Sequence, residues 1–192
     1  MDKVEILSKK LVFNDFFKVQ EAIVRFLRFD GQMSKPVRRL VLERGDAVSA
    51  IIFNKDTQKI IVINQFRYPT FEKGPGWINE LVAGMVDQDE KPEDAMRREI
   101  QEEIGYKVNN LKYIASFYVS PGGTSERIFL YYAEIDSNGR MSAGGGLASE
   151  NEDIQQIEMS PQELWKALDA GEIVDAKTLI GAMWLRQHLE QA

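Results

Sequence analysis

Residues 84–106, GMVDQDEKPEDAMRREIQEEIGY, constrain this chain more than any other stretch. Pro92 sits where helices begin and Gly105 where they end, so the spacing predicts a helix over 92–104. At about 100° per residue, Met96, Ile100 and Ile104 form one apolar stripe, and a core must cover it. Glu103 falls about 20° from Met96, and Glu99 about 60°, on the same helical estimate. Glu99, Glu102 and Glu103 stand at i, i+3 and i+4, along the edge of the stripe. Like charges at that spacing cost roughly 0.2–0.5 kcal/mol per pair even when exposed. Arg98, one turn before Glu102, offsets only part of this. A hard divalent cation resolves the conflict, because Mg²⁺ takes oxygen ligands and commonly works beside substrate phosphates. On these residues alone, a solvated charged helix accounts for the crowding equally well.

The rest of the chain supplies the core. Its 192 residues suit one globular domain or one domain with an accessory lobe, and 44% hydrophobic with 28% charged residues is ordinary for a soluble protein. There is no cysteine, which excludes disulfides, thiol nucleophiles and zinc–thiolate sites. No apolar run approaches the ~20 residues of a membrane span, and MDKVEILSKK lacks the features of a signal peptide. The expected location is cytoplasmic. A net charge of −6 argues against nucleic acid as a partner. A small phosphate ligand needs only a few local arginines. The one histidine, His188, falls in WLRQHLEQ and reads as a helix-surface residue.

Three β-branched and aromatic runs, KVEILSKKLVF, FFKVQEAIVRFLRF and VRRLVLER, predict an N-terminal antiparallel β lobe over residues 1–45. Three strands alone do not bury both faces, so this lobe should pack on the remainder or on a second subunit. Residues 46–192 form the second domain. In it, AVSAIIF and KIIVINQF make a hairpin, LKYIASFYV and RIFLYYAEI flank the loop SPGGTSE, and two helices close the chain. Ser160, Pro161 and Glu163 give the first of these a capping box. Residues 141–153 read as a long loop loosened by Gly144, Gly145 and Gly146 and carrying an acidic end. The fold class is α+β: a mixed sheet between helices, with a β lobe attached.

Gly84, Glu90 after five residues, and Arg98-Glu99-Ile100-Gln101-Glu102-Glu103-Ile104-Gly105 after seven more resemble the Nudix box, a loop–helix–loop pattern fixed over twenty-three residues. Tyr106 departs from its usual aliphatic last position. The likeness continues in ELVAG (80–84), SPGGTSER (120–127) and GLASENEDI (146–154), which resemble segments of bacterial ADP-ribose pyrophosphatases. GEIVDAKTL is more similar to the sister GDP-mannose hydrolases. The resemblance implies a Nudix α/β/α fold and a domain-swapped homodimer. It implies Mg²⁺, with Mn²⁺ as a substitute, and hydrolysis of a nucleoside diphosphate sugar. ADP-ribose is the first expectation and GDP-mannose the alternative. A non-catalytic nucleotide-binding module would usually lack a box glutamate, whereas all three are present.

Carried over by position, the resemblance implies metal ligands at the Ala83 carbonyl, Glu99, Glu103 and Glu152. Glu150 would be the general base, Glu102 would hold metal-bound water, and Arg98 would orient the glutamates. Substrate contacts would come from Phe16 (or Phe17), Arg39, Arg44, Arg67, Met85, Ser120, Glu126 and Lys177.

Overall fold

The computed structural model describes residues 3–147, 149 and 152–190. It divides into two compact units, the first reaching to Asp46 and taking in Tyr118–Arg127, the second holding Ala47–Phe117 and the chain from Ile128 onward.

The first unit is built on an antiparallel sheet of order β1-β2-β3, with β1 Val4–Asn14, β2 Lys18–Phe26 and β3 Val37–Glu43. Asn14 and Asp15 make the first turn, where the Asp15 carboxylate accepts the Phe16 N–H. Irregularities between Ile6 and Ser8 and between Leu11 and Phe13 break the β1–β2 register, adding the local twist that bulges bring. The segment Tyr118–Arg127 joins this unit through backbone bonds from Leu42 to Gly123 and from Ser125 to Leu42. A bidentate Arg127–Asp46 pair, at 3.0 and 2.6 Å, fastens its end. The sheet leaves Val4, Ile6, Leu7, Leu11, Val12, Phe13 and Leu40 exposed. Adjacent strand residues point to opposite faces, so apolar side chains remain on both sides.

The second unit is a seven-stranded sheet with helices on both faces. Its path runs β10 (Gln155–Met159), β5 (Lys59–Phe66), β4 (Asp46–Asn54), β9 (Arg127–Ile135) and β8 (Lys112–Tyr118). Off this path, β6 (Trp77–Glu80) pairs with β5 and β7 (Val82–Met85) with β4. Strand alternation divides the core in two. Ala50, Ile52, Ile61 and Ile63 pack with Ala95, Met96, Ile100 and Ile104 of α2 (Pro92–Ile104). Ile51, Ile60 and Val62 point the other way, onto Leu164 of α3 (Pro161–Asp169) and Ala182 and Leu185 of α4 (Ala176–Glu190). The short α1 (Tyr68–Phe71) follows β5. No helix is long and apolar enough to cross a membrane among the described residues.

Local signals explain the helix ends. Pro92 opens α2 and Gly105 closes it in the left-handed region at φ 76°. Ser160 and Glu163 form the expected reciprocal capping box on α3. His188 lies on α4 with its ring stacked 4.8 Å from Trp184. Tyr106 is buried, with its ring under the Arg140 guanidinium and its hydroxyl accepting from Arg140 at 3.2 Å, which suits an aromatic to that place.

The glycine triplet behaves differently from the loosening expected of it. Gly145 and Gly146 donate to the carbonyls of Glu103 and Glu102 at 2.9 and 3.2 Å. They satisfy acceptors that the last turn of α2 would otherwise leave bare. All three have positive φ, and a Cβ on Gly144 would stand 2.6 Å from the Glu103 carbonyl oxygen. Close backbone approach requires glycine at 144, whereas Gly145 has open space around it and is required by its φ of 110°.

Candidate active site

With its apolar stripe fully buried, α2 presents its glutamates at the boundary between core and solvent. Glu103 is 2% exposed and accepts the Ala83 N–H at 3.2 Å. Burial pushes its carboxyl up to about 9, Glu99 adds to the shift, and the Ala83 N–H opposes it. Glu99 is raised to about 7, first by burial and then by Glu102 and Glu152, against the pull of Arg98. Both carboxyls are thus held toward their protonated forms, Glu103 by burial above all and Glu99 by burial that Arg98 only partly offsets.

Arg98 organises the cluster. It donates to both oxygens of Glu90, at 3.2 and 3.1 Å, and to the Met85 carbonyl at 3.0 Å. Its Nη1 donates to Glu99 at 2.7 Å and to Glu102 at 3.2 Å. One guanidinium thus ties the loop before α2 to two glutamates on the helix. Gly84 completes the arrangement, because a Cβ there would fall 1.8 Å from Glu99 Oε1. The carboxylate of Glu99 occupies the space a side chain would fill.

Ala83, Met85, Arg98, Glu99, Glu102 and Glu103 are therefore brought together. Glu152 lies near enough to raise the proton affinity of both Glu99 and Glu103. Its own carboxylate accepts the Leu147 N–H at 3.0 Å, and no group of three acidic side chains among the described residues forms a ready cation site. Glu150 lies outside the described residues.

Arg67 and Lys177 belong to a second group in this unit, centred on a residue the sequence reading did not single out. Glu80 is 3% exposed; one oxygen accepts Arg67 Nε at 2.6 Å and the other accepts Lys177 Nζ. Lys177 also donates to Asp175 at 3.0 Å, and the other Asp175 oxygen caps α4 through the Thr178 N–H at 2.9 Å. Burial lowers the proton affinity of Lys177, but Glu80 and Asp175 outweigh it and hold the ammonium above its ordinary value. The signal available beforehand was one acid directly before the apolar pair Leu81 and Val82.

The first unit holds the other expected residues. Arg44 lies 5.2 Å from the Phe17 ring centroid and 3.9 Å from the Glu126 carboxylate. Phe16, exposed, packs edge-on against Phe17. Arg39 is exposed and donates to the Arg38 carbonyl at 3.1 Å. The Ser120 carbonyl accepts from Gly123 and Thr124, closing the loop that leads to Glu126. Gly122 and Gly123 face open space.

The NUDIX domain model matches residues 43–179, well over half the chain and including the whole acidic helix. The chain belongs to the Nudix family. Among its Nudix relatives, the ADP-ribose pyrophosphatase of Escherichia coli K12 is 37% identical over 188 residues, covering 96% of this chain and 88% of the relative. The GDP-mannose pyrophosphatase of Cronobacter sakazakii is 35% identical over 189 residues, covering 97% and 95%. A crystal structure of an ADP compounds hydrolase superposes with a TM-score of 0.74 at 19% identity, covering 98% of this chain and 95% of the other. That likeness concerns the fold.

Proposed function

We propose that this Nudix enzyme hydrolyses the diphosphate of a nucleoside diphosphate sugar with Mg²⁺, ADP-ribose being its first substrate and AMP and ribose 5-phosphate its products. The observation that carries the reading is the pair Glu99 and Glu103, two partly or fully buried carboxylates with raised proton affinity on adjacent turns of α2. Such a pair fits a divalent cation, with the Ala83 carbonyl and Glu152 as further oxygen donors. When bound, the cation lowers the pKa of water and neutralises charge on the diphosphate.

The chain's own residues do the rest. Arg98 fixes Glu99 and Glu102 in place, and Glu102 accepts hydrogen bonds from water held beside the phosphates. Arg67, with its side chain 41% exposed and only Nε engaged by Glu80, offers its Nη groups to phosphate oxygen. Water attacks one phosphorus while the bond from that phosphorus to the bridging oxygen breaks, and the bridging oxygen leaves on the second phosphate. Glu150 accepts the water proton in this scheme, a role carried by the resemblance of its segment. Arg39, Arg44, Phe16, Met85, Ser120 and Glu126 are assigned to the nucleoside and sugar on the same ground.

The GDP-mannose relative supports a second reading of the sugar. Phosphate-coupled turnover of ADP-ribose, GDP-mannose and a dinucleoside polyphosphate, measured side by side with Mg²⁺, separates them. ADP-ribose is expected to give the highest kcat/KM; a preference for the dinucleoside polyphosphate would overturn the substrate class.

A homodimer joined through residues 1–45 belongs to the same proposal, as does a cytoplasmic location. Apolar side chains exposed on both faces of the β1–β3 sheet support the dimer, because large exposed apolar patches commonly mark interfaces. Light scattering at micromolar concentration is expected to give twice the chain mass. A fully active monomer would rule the dimer out.

A further inference from the structure

We propose that Glu80 is a positioning residue that holds the Arg67 guanidinium for the diphosphate, and that Lys177 acts through Glu80 rather than on the substrate. The inference rests on the reading of the site as a diphosphate-cleaving centre.

Glu80 closes β6 directly before Leu81, whose N–H donates to the Thr178 hydroxyl at 2.9 Å. Its position is therefore tied to the first turn of α4 through both backbone and side chain. A carboxylate this buried is costly to leave unpaired, and here each oxygen has one cationic donor. Arg67 and Lys177 face Glu80 and Asp175, two cations against two anions, so the group is balanced without any ligand.

The two cations differ in what they have left to offer. The Lys177 side chain is 11% exposed, and its ammonium already donates to Glu80 and Asp175. Arg67 gives Glu80 its Nε alone, and its side chain is far more open. An arginine held at Nε has its planar fork oriented while both Nη groups stay available, the arrangement that suits bidentate phosphate recognition. The sequence of constraint runs from the Asp175 cap of α4, through Lys177 and Glu80, to Arg67.

The test is a double-mutant cycle on the full chain with Mg²⁺, reading KM and kcat for ADP-ribose and, separately, calorimetric binding of ADP. Glu80→Gln keeps the shape but turns an amide N–H toward a cation. It is expected to raise KM and the ADP dissociation constant roughly tenfold, the scale of a charge-assisted hydrogen bond, with little change in kcat. In an Arg67→Ala background it should add almost nothing. Lys177→Met is expected to behave the same way, and it carries the test alone if Glu80→Gln does not fold. Losses that add fully in the Arg67→Ala background would overturn the proposal, since independent sites add and coupled ones do not. If the wild-type chain neither cleaves ADP-ribose nor binds ADP, the functional reading fails and this inference falls with it. If the wild type is active and only the cycle is additive, the inference alone fails.

Discussion

Glu103→Gln is expected to lower turnover of ADP-ribose by about a thousandfold, the factor that several kcal/mol of metal-derived charge stabilisation represents. It should also make the metal-free protein more stable. Glu103 is packed under β7, and its carboxyl is raised from 4.5 to about 9. As pH rises past 4.5 the unfolded chain ionises while the folded chain still holds this proton. Stability therefore falls from pH 4.5 until the pH passes about 9. At pH 7 this penalty is at most roughly 3 kcal/mol, from 1.36 kcal/mol per unit. The amide carries no charge and retains an acceptor for the Ala83 N–H. In EDTA, the wild-type melting temperature should decline between pH 5 and 8, and the variant's should decline less. With Mg²⁺ the order reverses, because a ligand bound only to the native state stabilises it. Wild-type turnover of the variant at saturating Mg²⁺ would sink the metal assignment.

Parts of this site were legible in the sequence and parts were not. The α2 helix was, down to its ends, since Pro92 and Gly105 mark them and the Met96–Ile100–Ile104 stripe fixes the buried face. The anomaly of Glu103 beside that stripe was legible too, because helical geometry alone places it there. Glu80 was not. Its partners are Arg67, thirteen residues earlier, and Lys177, ninety-seven residues later, and pairing of that kind depends on which strand lies next to which helix. The glycine triplet at 144–146 shows a different limit. Glycine signals both freedom and close approach, and at Gly144 the backbone of Glu103 and Ile104 selects the second. The loop SPGGTSE, residues 120–126, likewise reads in sequence as a connection between two strands, yet in the fold its Gly123 and Ser125 bond to Leu42, and Arg127 just after it pairs with Asp46.

Gly84→Ala is expected to reduce turnover about a hundredfold, the cost of roughly 3 kcal/mol of transition-state stabilisation, while leaving the fold intact. The new methyl would stand 1.8 Å from Glu99 Oε1 and 1.9 Å from its Cδ. Those atoms end a flexible side chain, and Gly84 does not have positive φ. The backbone therefore accepts alanine, and the Glu99 carboxylate moves. Displacement breaks its bond to Arg98 Nη1 and removes one of the two glutamates proposed for the cation. Gly105→Ala supplies the contrast. Gly105 has φ 76°, and its added Cβ would lie 2.3 Å from the Ser142 carbonyl oxygen, a backbone atom with nowhere simple to go. That substitution should lower the melting temperature first, with activity following the loss of folded protein. Melting curves and Mg²⁺ titrations of both variants separate the cases. Gly84→Ala should melt near the wild type yet need far more Mg²⁺ for half-maximal rate. An unchanged Mg²⁺ requirement, with wild-type turnover, would mean that Glu99 has room to keep its place and that Gly84 is not there to make that room.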